Sequence, residues 1–245
     1  MVDYLYDGTF EGLLTCVYHH YYEEKASGIY PKERYQANLF TTHRIIDTEE
    51  EKTVRVYDAI EQKISADDLR RIYRVFLSYD PNKENMILRY IRLGFRLGPK
   101  ISLLHSDPVV FDMQQCERKV SCEVHRLEGL VRFSVLSPGE ILYCCIEPDH
   151  DVLELMADHF SDRYRNEPFL IHDKRRKKAI FAQNGEWYIT DFRDEDLPQI
   201  SKEEQDYRLL WKKYFETIAI KERINPACQK RCMPVRYWKN LTEFL

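Results

Sequence analysis

Several residues in the second half of this 245-residue chain have the types needed to move protons: His125, Glu147 with Asp149 and His150, His159, and the pair His172-Asp173. Glu147 and Asp149 directly follow an apolar run that reads as a strand, and His172-Asp173 closes another. Functional residues often sit where rigid strands end. A histidine meeting carboxylates there suits general acid–base catalysis. His125, Glu147, Asp149, His172 and Asp173 are therefore the candidate catalytic set. The same residue types also serve as helix caps and turn residues, and such groups occur widely in structural ion-pair networks.

Two cation-rich stretches suggest a different chemistry. The first is Lys174, Arg175, Arg176, Lys177 and Lys178, five adjacent positive charges between two strands. The second is spread from Lys221 to Lys239 and includes Arg223, Lys230, Arg231, Arg236, Tyr237 and Lys239. Mutual repulsion keeps such runs solvated, and cations interleaved with aromatic rings suit phosphates and unstacked bases. The expectation is that both stretches fold into one positively charged groove for nucleic acid. The alternatives are a solubilising turn for the first stretch and buried aromatic anchors for Tyr237 and Trp238.

Common catalytic signatures are missing. The chain has no glycine-rich dinucleotide fingerprint, P-loop, nucleophile elbow or H-E-x-x-H zinc motif. The seven cysteines include no C-x-x-C pair, so neither a metal nor another cofactor is expected, and scattered thiols fit a reducing compartment. With 37 basic and 41 acidic residues the net charge is −4, which excludes a globally basic nucleic-acid coat. Hydrophobic residues at 44% exclude disorder of the whole chain. No apolar run is long enough for a membrane helix, and the acidic start Met1-Val2-Asp3 lacks a signal peptide's features, which together point to the cytoplasm.

The elements that must position these residues follow from periodicity. Asp7 and Thr9 precede a helix bearing Leu13, Leu14 and Val17, and residues 26–36, with Gly28 and Pro31, read as loop. Ser65-Ala66-Asp67-Asp68 caps a helix through Phe76, and a further helix from 83 stops at Gly98-Pro99. Asp107-Pro108 opens a third, ending near Gly129. A hairpin follows, Leu130–Leu136 with Ile141–Ile146 around Ser137-Pro138-Gly139-Glu140. Asp149 or Asp151 caps a helix that presents Val152, Leu155, Met156, His159 and Phe160 on one face. Asn184-Gly185 turns a second hairpin. Ser201 caps a helix whose apolar face is Tyr207, Leu210, Trp211, Tyr214, Phe215 and Ile218, and Pro234 opens a last helix. The fold class expected is α+β, with antiparallel hairpins packed on amphipathic helices and a helical C-terminus. Asp80-Pro81-Asn82 marks either a boundary between an N-terminal α+β part (1–82) and a C-terminal domain (83–245) or a helix–helix turn within one compact unit.

Specific strings also carry a resemblance. These are Asp7-Gly8-Thr9-Phe10-Glu11-Gly12, His125-Arg126-Leu127-Glu128-Gly129, Ile146-Glu147-Pro148-Asp149, Leu170-Ile171-His172-Asp173 and Met233-Pro234-Val235-Arg236-Tyr237-Trp238. Over nearly its whole length the chain resembles a bacterial family of DNA-repair or DNA-metabolism proteins, whose C-terminal part is a domain of unknown function. The resemblance implies a radical-SAM protein, encoded nearby, as partner; some relatives are fused to uracil-DNA glycosylase. The chain itself lacks glycosylase motifs and the C-x-x-x-C-x-x-C ligand set of a radical-SAM cluster. The leading expectation is therefore a DNA-metabolism accessory protein that binds DNA, the radical-SAM partner, or both, with the acidic stretch 191–206 available to face a partner. An enzyme acting on a damaged nucleotide or base through the His/carboxylate set is one alternative, and a purely protein-binding scaffold is the other.

Overall fold

A computed structural model describes residues 1–37, 39, 41–136, 141–197 and 202–244. The chain is a mixed α+β protein that divides into two compact units, Met1–Ser121 and Cys122–Leu245. The Asp80-Pro81-Asn82 turn, expected as a boundary or a helix–helix turn, joins two helices inside the first unit.

The first unit opens with strand β1 (Val2–Tyr6), helix α1 (Phe10–Tyr22) and strand β2 (Ala26–Pro31), followed by β3 (Thr42–Ile45). Helices α2 (Glu50–Lys63), α3 (Ala66–Phe76) and α4 (Lys83–Leu97) come next, and α5 (Pro108–Leu130) runs across the unit boundary. The sheet order is β2-β1-β3, and both pairings are parallel. The antiparallel pairing named in the expected fold class is absent from this sheet. The chain leaves β1 through α1 before returning, and a helical crossover delivers the next strand in the same direction. Strand β2 corrects the loop reading of 26–36. Gly28 is tolerated in β2 because the Tyr30 ring lies 2.6 Å from where a Cβ would stand. Asn38 and Phe40 lie outside the described residues.

Local signals set the helix ends. Thr9 Oγ1 accepts from the Gly12 N–H at 3.0 Å and Ser65 Oγ from the Asp68 N–H at 3.0 Å. Asp107 Oδ1 accepts from the Val109 N–H at 2.8 Å, just ahead of Pro108. Gly98 ends α4 with φ +67°, a left-handed conformation that costs glycine nothing. The core gathers Tyr4, Tyr6, Leu13, Ile60, Ile87 and Ile91, all fully buried. Each such side chain contributes roughly 1.5–3 kcal/mol relative to exposure.

The second unit holds strands β4 (Ser134–Leu136), β5 (Ile141–Ile146), β6 (Phe169–Asp173), β7 (Lys178–Gln183) and β8 (Glu186–Asp191) in that spatial order. Helix α6 (Leu153–Arg163) joins β5 to β6. Helices α7 (Lys202–Ile218) and α8 (Pro226–Cys232) follow, then 3-10 turns at Val235–Asn240 and Thr242–Phe244. The sheet is mixed. β4–β5 and β6–β7–β8 pair antiparallel, as the hairpin reading expects, but β5 and β6 are parallel because α6 crosses over between them. The β7–β8 turn has Asn184 at φ +56° and Gly185 at φ +81°, the backbone that Asn-Gly favours. The Ser137–Glu140 turn and the Ser201 cap lie outside the described residues. The final segment forms 3-10 turns rather than the expected α-helix. Among the described residues no helix is long and apolar enough to cross a membrane.

Candidate functional site

The parallel pairing of β5 and β6 brings the ends of both strands to one edge of the second unit. Glu147 and Asp149 lie just past β5, and Asp173 ends β6. Loops at the carboxyl ends of parallel strands commonly carry ligand sites. Here the side chains form a dense ion network.

Asp173 is fully buried. Its Oδ1 accepts from the backbone N–H groups of Arg175 (2.9 Å) and Arg176 (3.2 Å), and its Oδ2 from the Arg176 guanidinium (2.9 Å). Burial pushes its carboxyl above the usual carboxylate range, against the pull of Arg176. Arg176 also donates to the Pro148 and Asp149 carbonyls at 3.3 and 2.6 Å. Arg175 pairs with Asp149 at 2.9 Å, and Arg236 meets the other Asp149 oxygen at 2.7 Å. Asp149 is therefore no helix cap. The cap position of α6 belongs to Val152, with no side-chain hydrogen bond, and His159 points to solvent rather than to the apolar face.

Below these pairs lies Glu123 on α5, only 1% exposed. Its carboxylate accepts from four donors: the N–H groups of Asp149 (3.1 Å) and His150 (2.8 Å), the Tyr237 hydroxyl (2.6 Å) and Arg236 (3.1 Å). Tyr237 is buried, and burial with the adjacent Glu123 charge pushes its phenol up to about 12. Its ring is thus a core anchor and is not presented to a stacked base. The sequence reading missed Glu123. A lone glutamate on an amphipathic helix gives no local sign that distant donors will converge on it.

The remaining expected cations are also largely engaged. Lys174 pairs with Asp194 at 3.0 Å, Lys178 approaches Asp151 at 3.8 Å, and Lys239 holds Glu147 at 2.6 Å. Lys177 takes the left-handed turn position at φ +56°. Arg223, Lys230 and Arg231 lie exposed on and before α8. So residues 174–178 and 236–239 do come together, but around carboxylates and not as a bare positive groove.

The acid–base candidates do not converge. His125 is 90% exposed, with Glu128 at 3.8 Å as its charged neighbour. His172 points to the sheet face opposite Asp173, as alternation along a strand requires. There its Nδ1 lies 3.2 Å from the Tyr143 hydroxyl, and its ring packs on Phe192.

Burial lowers the pKa of His172 from 6.5. The folded unit therefore resists a proton that the unfolded chain accepts, so stability contributed by His172 is complete above pH 6.5 and is lost as pH falls below it. The expected outcome is that wild type loses more stability between pH 7 and 5.5 than His172→Gln, measured by thermal melts at both pH values. Equal losses would remove His172 from the account.

A second feature of this unit is α7. Its Tyr207, Leu210, Trp211, Tyr214 and Ile218 recur at helical spacing, which reads as a core face, yet all are exposed, Tyr207 at 68% and Leu210 at 60%. Tyr207, Leu210, Trp211 and Tyr214 border a groove of about 590 Å³ together with Arg132 and Phe133. Glu243 fixes its wall, taking Arg132 at 2.8 Å and the Trp211 indole N–H at 3.3 Å. Glu204 and Arg208 tie the helix to β4, through the Val135 N–H (3.2 Å) and the Ser134 hydroxyl (2.7 Å).

The fold and these sites define a mixed-sheet α+β protein with a braced strand edge and an open apolar helix face. The chain belongs to the family described as DUF4130, a domain of unknown function, whose profile matches residues 81–243. No curated protein matches the chain.

Proposed function

We propose that this chain is a binding protein of DNA metabolism that acts as an accessory and docks a protein partner on α7. The observation that carries the reading is the exposed apolar stripe of α7 beside its groove. Contiguous apolar patches rimmed by polar groups mark interaction sites, and Trp and Tyr are favoured as interface anchors. A partner helix laid in a groove is a common way to cover such a face. The radical-SAM protein suggested by the family resemblance is the partner to test first.

The acid–base alternative has less support. Its carboxylates Glu147, Asp149 and Asp173 are each held by a cation, and its histidines stand elsewhere. The same pairing removes support for Lys174, Arg175, Arg176, Lys178, Arg236 and Lys239 as a nucleic-acid surface.

The test is capture of the purified radical-SAM protein by the tagged chain and by a Leu210→Asp, Tyr214→Asp variant. Both positions are exposed, so folding should persist. Losing two anchors is expected to weaken binding at least ~100-fold. Unchanged capture would contradict docking on α7.

A further inference from the structure

The first unit carries a second groove, of about 460 Å³, between the end of α1 and α4. Its wall holds Arg89, Arg92 and Arg96 from α4, with Lys25 opposite and His20 and Tyr21 at its edge. The three arginines recur at i, i+3 and i+7, so they share one helix face. At ~1.5 Å rise per residue they form a row ~10 Å long.

This cluster differs from the paired cations around Asp149, Asp173 and Glu147. All four cations are exposed, no carboxylate lines the groove, and none of the four enters an ion pair among the described residues. By contrast Arg71 and Arg74 of the neighbouring α3 both meet Glu117.

His20 sharpens the contrast. It is 5% exposed, and its Nδ1 accepts from the Ala26 N–H at 3.0 Å, so its remaining proton sits on Nε2. Burial, then Arg92 and Lys25, holds its pKa below the usual value. No carboxylate among the groove's lining residues offsets these cations. Tyr21 is 45% exposed, and its ring is braced edge-on against Phe95 at 5.5 Å.

We propose that this groove binds a single-stranded nucleic acid, with consecutive phosphates along the Arg89–Arg92–Arg96 row and a base against Tyr21. A row of this length suits an extended polyanion better than one isolated phosphate. An exposed, fixed aromatic ring beside it offers the stacking face that single strands use and duplexes hide. The proposal is independent of the α7 reading, since the residues belong to a different unit, and either can fail alone.

The experiment is fluorescence anisotropy of a labelled fifteen-nucleotide oligothymidylate with the full chain across a salt series. Four phosphate contacts predict a slope of log K on log salt of about −3, at roughly −0.7 per contact. Arg92→Ala should weaken binding and flatten the slope by about 0.7. Arg89→Ala, Arg92→Ala and Arg96→Ala together should abolish measurable binding, while Ala keeps the exposed helix face intact. Tyr21→Ala should weaken binding about tenfold with the slope unchanged, because stacking carries no charge. A Lys230→Ala, Arg231→Ala variant should bind like wild type. The proposal is overturned if the triple variant binds normally, or if a duplex of equal length binds more tightly. It is also overturned if inorganic polyphosphate or phosphatidylserine vesicles match the oligonucleotide and Tyr21→Ala has no effect. Circular dichroism melts of each variant separate lost binding from lost fold.

Discussion

Replacing Glu123 with alanine should destabilise the second unit by about 3–5 kcal/mol, the cost of leaving a buried charge network without its central anion. The glutamate is 1% exposed and receives four donors. Two of them, the Asp149 and His150 N–H groups, belong to the loop that leads into α6. The other two, from Arg236 and Tyr237, belong to the C-terminal segment. Removing the carboxylate therefore unties two distant pieces of chain at once. Glu123→Gln keeps a carbonyl acceptor and loses the charge, so a smaller loss is expected. The chain's three tryptophans, Trp187, Trp211 and Trp238, all lie in the second unit, so urea unfolding followed by tryptophan fluorescence reads this unit directly. A loss below about 1 kcal/mol, the scale of an exposed pair, would show that Glu123 braces nothing.

Asp68→Ala should have the next largest effect, about 3 kcal/mol in the first unit. Asp68 is fully buried and accepts from the Ser65 and Tyr90 hydroxyls, both at 2.6 Å, and from Arg71. Arg71 reaches on to Glu117 at 2.7 Å. The cluster thus ties α3, α4 and α5 together and sets the position of α4, the helix that carries the arginine row. The cost falls at the low end of the range for a broken buried pair because Arg71 keeps Glu117. Amide exchange at Ile87 and Ile91 in α4 is the measurement, with faster exchange expected. Unchanged protection there would contradict the bracing role.

The parts of the fold that were legible in the sequence are those decided within a few residues. The Thr9 and Ser65 caps, the Gly98 stop, the Asp107-Pro108 start and the Asn184-Gly185 turn all depend on local backbone chemistry. Parallel pairing was not legible, because neither β1–β2 nor β5–β6 is announced by a turn; each depends on where a crossover helix returns the chain. The ion network was hidden for a similar reason. Arg236 and Glu123 stand 113 residues apart, and only the fold makes them neighbours. A run of five cations looks bare in sequence because its counter-charges come from Asp149, Asp151 and Asp194. Helix α7 shows the limit of periodicity: an apolar stripe announces that a face is built for contact, not whether its own chain supplies the contact. The α4 arginines carry no local sign of function in the sequence, and only the groove they line gives them a role.

The most direct test of partner docking is hydrogen exchange of the full chain alone and mixed with the radical-SAM protein. The account predicts slowed exchange across α7, Lys202–Ile218, with the β5–β6 edge unchanged. A stable complex that leaves α7 exchanging at its free rate and protects the Asp149–Arg176 edge instead would contradict it.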